Sequence, residues 1–293
     1  MKGTTVTTFS TPGPVALRLE VHRGRIRVTA ETTDQTLIEL RAVNGDAETQ
    51  ALIDQTEIRQ DGDVISVIMP KEHGFSRWLG RGPVQVDIRV PKQSRLDATT
   101  GSASLETVGE LGDLRITTGS GDVRVSSVAA ARIELGSASA RVDHASGACS
   151  IKSGSGRVEL GQVDGDARAT TGSGAVVVGK ARGQLVVRTA SGAIEVEEAG
   201  PDSDLSAASG AIRIGQVKTG RMHARTVSGR VSIGVALGTA AWLDASSVSG
   251  GVRSDLETST APREGEDKIE IHVKTVSGQI RLRRAAVGAV ATA

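Results

Sequence analysis

The chain has 293 residues, with 35 Lys and Arg against 34 Asp and Glu, for a net charge of +1. Because this balance provides no basic surface for a polyanion, we predict no nucleic-acid partner. A single Cys excludes an intramolecular disulfide, and no apolar run is long enough for a membrane span. Aromatic residues are scarce, at two Phe, two Trp and no Tyr.

Residues 1–95 are β-rich but irregular, and we predict that they form an N-terminal cap continuous with the repeats that follow. Arg23–Val28 has the alternation of a degenerate first repeat, with Ile26 and Val28 directed inward. Residues 47–60 are compatible with a short helix or with another strand. Strands are predicted at residues 36–43, 64–69 and 84–90.

A Gly-bounded loop at residues 74–82 holds half of all the aromatic side chains, beside two arginines. Apolar side chains in a loop need a partner, so we predict a contact site for a protein or for a peripheral membrane surface. The alternative, in which the aromatics fold back over the solenoid flank, stays open. The predicted contact residues are Phe75, Arg77, Trp78, Leu79 and Arg81.

From residue 96 a Ser-Gly or Ser-Ala dipeptide returns about once every eighteen residues, ten times in all. We call its serine the marker. The residues three and five positions after the marker are apolar and the residue between them is charged in most repeats, as in Ile194, Glu195 and Val196. This period-2 alternation predicts one strand per repeat with one buried face.

Two further columns belong to each repeat. Eight of the ten residues two positions before the marker carry a hydroxyl group, which predicts packing or hydrogen bonding at a corner. The Gly after the marker is expected to allow a positive φ. Stacking also places opposite charges side by side, and it predicts ion pairs such as Glu106 with Arg124 and Glu195 with Arg213.

An isolated repeat cannot bury its apolar face, whereas stacked repeats can. The predicted fold is therefore all-β, a single parallel β-solenoid (β-helix) with about 18 residues per rung. A right-handed coil is favoured by analogy with the crossover rule for parallel strands. Residues 96–284 form the regular solenoid and residues 285–293 a flexible tail. Trp242, which interrupts the repeat, is expected to plug the core near the C-terminal end.

Several strings mimic functional motifs. Residues 174–181 resemble a P-loop, but Val176 and Val178 belong to the core columns and Ala181 replaces the Mg²⁺-binding hydroxyl. Asp122 is alone in its column, which excludes a calcium array, and the five histidines lack metal-ligand spacing. Cys149 falls in a core column. We predict no catalytic residues, no metal and no cofactor, and hence no enzymatic activity.

Longer segments carry a resemblance to a known family. They are PGPVALRLEV with GRIRV, DVISVIMPK, VQVDIRVPKQSRLDATTGSAS, the iterated TGSGDVRV and TASGAIEV units, and GTAAWLDASSVSG with GEDKIEIHVKTVSGQIRLRRA. The chain resembles the bacterial β-strand-repeat family of candidate adhesins of unknown function, the toastrack type, and its closing segment looks actinobacterial. The resemblance implies a β-solenoid, an association with envelope-stress systems, and no known catalytic residues.

The sequence thus favours a non-enzymatic structural or protein-interaction scaffold with an unidentified protein partner, linked to a bacterial envelope-stress response. One alternative is a self-assembling filament protein similar to bactofilins, in which rungs stack end to end. The other is a carbohydrate-active β-helix enzyme, which the scarcity of aromatics disfavours. Because the N-terminus shows no apolar signal-peptide core, a cytoplasmic location is expected.

Overall fold

The computed structural model describes residues 4–44, 46–70, 82–256 and 266–285. The chain divides into unit 1 (Met1–Gly147) and unit 2 (Ala148–Ala293). Each unit is built from parallel ladders of short strands, so the prediction of an all-β parallel β-solenoid is confirmed. The right-handed coil and the domain boundary at 95/96 stay predictions.

Unit 1 contains twelve elements within its described residues. The predicted strands at 36–43, 64–69 and 84–90 are confirmed to within two residues, and region 47–60 forms both a helix and a strand. In chain order the elements are β1 (Thr4–Ser10), β2 (Ala16–Val21), β3 (Gly24–Glu31), β4 (Gln35–Ala42), α1 (Ala47–Asp54), β5 (Glu57–Asp61), β6 (Val64–Ile68), β7 (Val84–Pro91), β8 (Arg95–Thr100), β9 (Ser104–Thr118), β10 (Val123–Leu135) and β11 (Ala140–Ala145).

The strands of unit 1 form two ladders. The first ladder has the order β5–β6–β2–β8 and continues into the second halves of β9 and β10. The second ladder has the order β1–β4–β7–β3, continues into the first halves of β9 and β10, and ends at β11. Ile26 and Val28 are buried and lie opposite Leu105 and Thr107. β3 is nevertheless not the first rung in space, because β7 pairs with its outer side.

The outer end of each ladder in unit 1 is antiparallel. β4 pairs with β7 and β1 with β4 in one ladder, while β5 pairs with β6 in the other. Ile38 and Leu40 of β4 and Leu52 and Ile53 of α1 are buried. Their side chains therefore remove apolar surface from water at this end of the unit.

Unit 2 is the more regular unit. It contains fourteen strands within its described residues. They are β12 (Cys149–Ser155), β13 (Val158–Val163), β14 (Ala167–Ser173), β15 (Val176–Ala181), β16 (Leu185–Ser191), β17 (Ile194–Glu198), β18 (Asp202–Ser209), β19 (Ile212–Val217), β20 (Gly220–Ser228), β21 (Val231–Val235), β22 (Thr239–Ser249), β23 (Val252–Ser254), β24 (Asp267–Ser277) and β25 (Ile280–Arg284).

The register of unit 2 confirms the predicted period. Val158, Val176, Ile194 and Ile212 are successive register partners, each eighteen residues after the last, and all four are buried. Odd-numbered strands from β13 to β19 form one parallel ladder, and even-numbered strands from β12 to β20 form the other. The apolar column of each ladder therefore lines a common core.

The last rungs of unit 2 do not follow chain order. β24 pairs with β20 on one side and β22 on the other, and β25 lies in the same way between β21 and β23. The chain thus forms the outer rung, β22–β23, before it returns to fill the inner position. The repeat pattern contains no sign of this exchange, because all three rungs share the same columns.

The hydroxyl and glycine columns have the packing roles that stacking requires. Thr171 and Thr189 are buried, and the Thr226 hydroxyl donates to the Gly210 carbonyl oxygen at 3.2 Å. A Cβ at Gly192 would lie 2.0 Å from the Gly174 carbonyl oxygen of the preceding rung. Close approach of neighbouring rungs therefore demands Gly at this position. The expected positive φ occurs at Gly174 and Gly210 of the same column but not at Gly192.

Candidate interaction surfaces

The predicted aromatic contact site cannot be placed, because Phe75, Arg77, Trp78, Leu79 and Arg81 lie outside the described residues. This site stays a prediction.

One described flank of that loop, at Gly82, is anchored beside α1. The Gly82 amide donates to the Thr49 hydroxyl at 2.6 Å. Asp46 caps the helix by accepting from the Thr49 amide at 2.7 Å, and hydrogen bonds from Thr49 lower the pKa of this carboxyl below its ordinary value. Met69, near the other flank, is buried. The described residues on either side of residues 71–81 are therefore held in place within unit 1.

A polar groove of about 540 Å³ crosses the outward face of unit 1. Two ion pairs lie in or beside it: Arg27 holds Glu106 at 2.8 Å, and neighbouring Arg41 holds Asp87 at 2.7 Å. The hydrogen bond and charge of Glu106 raise the pKa of Arg27. Since its lining holds three arginines and three carboxylates, the groove has little net charge with which to attract a charged ligand.

The predicted ion pairs have different outcomes. Glu106 and Arg124 are register partners as expected, but the Glu106 carboxylate binds Arg27 of the preceding rung. In unit 2, Arg213 donates to Glu195 at 2.7 Å, so that predicted pair is confirmed. These pairs join neighbouring strands on solvent-exposed faces, where water and salt screen the attraction between the charges.

Trp242 does not plug the core, and that prediction was wrong. It lies on the outward face of β22 with 58% of its surface exposed. Side chains alternate between the faces of a strand, and inward positions on β22 fall to Ala241, Leu243 and Ala245. The indole instead meets the His272 ring edge-on, with the centroids 5.2 Å apart.

A row of titratable groups crosses the same outward face of unit 2. His223 of β20 stacks on His272 of β24 with centroids 4.7 Å apart, and Nδ1 of His272 lies 3.4 Å from a carboxylate oxygen of Asp244. Partial burial and the nearby His272 lower the pKa of His223. Asp204 lies opposite His223 on β18. Each half of this row is therefore a histidine beside an aspartate.

Sequence reasoning missed this row because it searched for short metal-ligand spacings. His223 and His272 are 49 residues apart, yet each lies five positions before a marker serine. That shared column is the signal that would have found them. No group of three or more His, Cys, Asp or Glu suitable for a metal ion occurs in the described part of the chain.

The remaining motif-like residues lie in the core. Val176 and Val178 of the P-loop-like string are buried, which confirms their assignment to the core columns. Cys149 is buried, as predicted, and burial raises the pKa of its thiol to about 12. No helix in the described ranges is long and apolar enough to cross a membrane.

The family model described as Toastrack DUF4097 matches residues 16–283, almost the whole chain. The chain belongs to this family. The match confirms the resemblance inferred from the sequence motifs, whereas the actinobacterial origin stays a prediction. No curated protein matches the chain.

Solved structures of similar proteins come from several bacterial species. A lipid-binding candidate from Parabacteroides distasonis is 12% identical, with 95% of this chain and 96% of that chain covered and a TM-score of 0.46. A candidate adhesin from the same species is 9% identical, with 96% and 97% covered and a TM-score of 0.44. A candidate adhesin from Bacteroides fragilis is 12% identical, with 96% and 98% covered and a TM-score of 0.37.

Proposed function

We propose that this toastrack protein is a non-enzymatic scaffold that binds other protein surfaces. One observation carries the proposal: exposed apolar side chains gather on the last rungs of unit 2. Val227, Val276 and Val248 lie near the ends of β20, β24 and β22, three neighbouring strands. Their surfaces are 53%, 49% and 82% exposed. We call these three residues the valine stripe.

The valine stripe is specific to this end of the repeats. Each of its members directly precedes a marker serine, and the same position is Gly or Ala in the seven earlier repeats. A small residue suffices for folding at that position, so the valines add exposed apolar surface that the rung does not require. Contiguous apolar surface of this kind typically marks a protein contact.

The other outward surfaces support binding by shape and packing. The charged rows are largely occupied by ion pairs between neighbouring strands, as at Arg27 with Glu106 and Arg213 with Glu195. Candidate adhesins among the similar structures are named for contact with other surfaces, which agrees with a scaffold role. Within the same proposal, the aromatic residues Phe75 and Trp78 provide a second contact site, for a protein or for a peripheral membrane surface.

A differential pull-down from a bacterial host lysate tests the proposal. The bait is the full chain, compared with Val227→Ser/Val276→Ser and with Val43→Ser/Val108→Ser, a control pair of exposed valines in unit 1. We expect a specific protein that the wild type and the control retain and the stripe variant loses. Equal retention by all three baits would show that the stripe is not the contact, and no specific retention would overturn the scaffold function.

The role in an envelope-stress response and the cytoplasmic location are finer parts of this proposal and rest on the family resemblance and the N-terminal sequence. Fractionation of the host, with and without envelope stress, tests both together. The bactofilin-like filament and the carbohydrate-active enzyme stay predictions of the sequence. Light scattering tests for the filament, and an activity screen against polysaccharides tests for the enzyme.

A further inference from the structure

Among the described residues, the outermost strand of unit 2 has one paired and one unpaired edge. β22 is eleven residues long and pairs with β24, and within the described residues no strand pairs with its other edge. Its inward residues Leu243 and Ala245 are only half-buried, whereas their partners Ile271 and Val273 are fully buried. A long edge strand with exposed apolar side chains is a template for pairing with another strand.

We propose that the β22 edge binds β22 of a second copy of this chain, antiparallel and around a two-fold axis at Ala245. The inference rests on the proposed scaffold function and names one partner. In this register Trp242 lies opposite Val248 of the second copy, on the outward face, and the same contact repeats on the other side of the axis. Aromatic and β-branched residues directly opposite each other stabilise antiparallel pairs.

The charges favour the same register. A pairing centred on Asp244 would bring two like carboxylates face to face, which is unfavourable. Centring on Ala245 instead places Asp244 opposite Ser246 of the second copy. Lys274 is the register partner of Ser246 on β24 and is exposed. Two strand spacings, about 9.6 Å, then separate Asp244 from Lys274 of the second copy, a span that a lysine side chain can bridge across the small serine.

The pairing also extends the valine stripe. Val227, Val276 and Val248 occupy equivalent positions on successive strands, with Val248 at the open edge. Trp242 of the second copy becomes the fourth member of that row. The surface is self-complementary, because each copy supplies both the tryptophan and the end of the stripe. Such an isologous contact closes as a dimer and cannot extend into a filament.

Multi-angle light scattering of the full chain, across a concentration series, gives the first test. We expect a dimer for the wild type. Val248→Asp should weaken the dimer roughly tenfold or more, because it replaces the apolar partner of Trp242 with a carboxylate at the interface. Val43→Asp is the matched control, an exposed valine of unit 1 outside the stripe, and should leave the dimer unchanged. Circular dichroism confirms that both variants are folded.

Single cysteines at the edge test the register directly. Only the residue on the two-fold axis lies directly opposite the same residue of the second copy, at a distance that allows a disulfide. Ala245→Cys should therefore cross-link the two copies on mild oxidation. In this register the cysteine of Asp244→Cys, or of Ser246→Cys, is only a diagonal neighbour of the same cysteine in the second copy. These two variants should therefore cross-link far more slowly. The native Cys149 is buried and does not compete.

Three outcomes would overturn the inference: a monomeric wild type, larger assemblies in place of a dimer, or cross-linking that is fastest at 244 or 246. The scaffold function would be contradicted by a different result, the absence of any specifically retained protein in the pull-down. If a monomer still captured a host protein through the valine stripe, the two-fold pairing would be refuted while the scaffold function stood.

Discussion

The core register of unit 2 makes a sharp prediction at two adjacent residues of β17. Ile194 is fully buried between its register partners Val176 and Ile212. Glu195 points to solvent and pairs with Arg213 at 2.7 Å, with 46% of its side chain exposed. We expect Ile194→Asp to prevent folding or to lower the melting temperature sharply, and Glu195→Ala to change it little.

The magnitudes follow from burial. Removing a buried isoleucine side chain costs about 2–5 kcal/mol, and a carboxylate with no partner in the core adds several more. The sum, roughly 5 kcal/mol or more, approaches the whole stability of a typical domain. Loss of the exposed Glu195–Arg213 pair costs about 1 kcal/mol or less. Ile194→Val, which keeps the core apolar, should cost about 0.5–1.5 kcal/mol.

Thermal and urea unfolding, followed by circular dichroism, separate these cases. The expected order of stability is wild type, then Glu195→Ala and Ile194→Val close together, then Ile194→Asp far below. Equal unfolding midpoints for Ile194→Asp and Glu195→Ala would refute the assignment of inward and outward faces. A large loss for Glu195→Ala alone would mean that the register is shifted by one residue.

Gly192→Ala should lower the free energy of unfolding by roughly 1–3 kcal/mol, because its Cβ would collide with the neighbouring rung. Gly13→Ala is the control: no atom lies within 4 Å of the added carbon, so its thermal unfolding should be nearly unchanged. Cys149 should resist thiol reagents in the native protein and react only on unfolding, because burial keeps the thiol protonated with its pKa at about 12; fast labelling of the folded chain would contradict its burial. Phe75→Ser with Trp78→Ser should leave the melting temperature unchanged and abolish co-sedimentation with a partner or with anionic vesicles. A destabilised variant that still binds would show that this loop packs on the protein instead.

Much of the interior could be derived from the chain because the informative patterns are local. Val176 and Val178 alternate with an outward residue within one strand, and Ile194 repeats the pattern eighteen residues later. Because side chains alternate between the two faces of a strand, the position of a residue within its repeat predicts whether it is buried, without knowledge of distant contacts. Region 47–60 shows the limit of this reasoning: it becomes a helix and then a strand, and its composition distinguishes neither the boundary nor the order.

The candidate surfaces were less accessible to such reasoning. The sequence predicts Trp242 in the core because it interrupts the repeat, although its position seven residues before a marker serine puts it on the outward face. The valine stripe was visible as a column in the repeats, but its contiguity depends on Val276 lying between Val227 and Val248. That arrangement results from contacts between strands far apart in sequence.

The repeat length, the inward and outward faces and the columns of hydroxyl and glycine residues follow from the sequence alone, because stacking imposes each of these on every rung. Which rung is outermost depends instead on tertiary contacts. β24 fits between β20 and β22, and β3 between β7 and β9, although the chain visits them in other orders. Rungs with the same columns can pair in any order, so the choice depends on the connections and the packing at each end. The strand left at the edge of unit 2 carries Trp242, and its exposure follows from that choice.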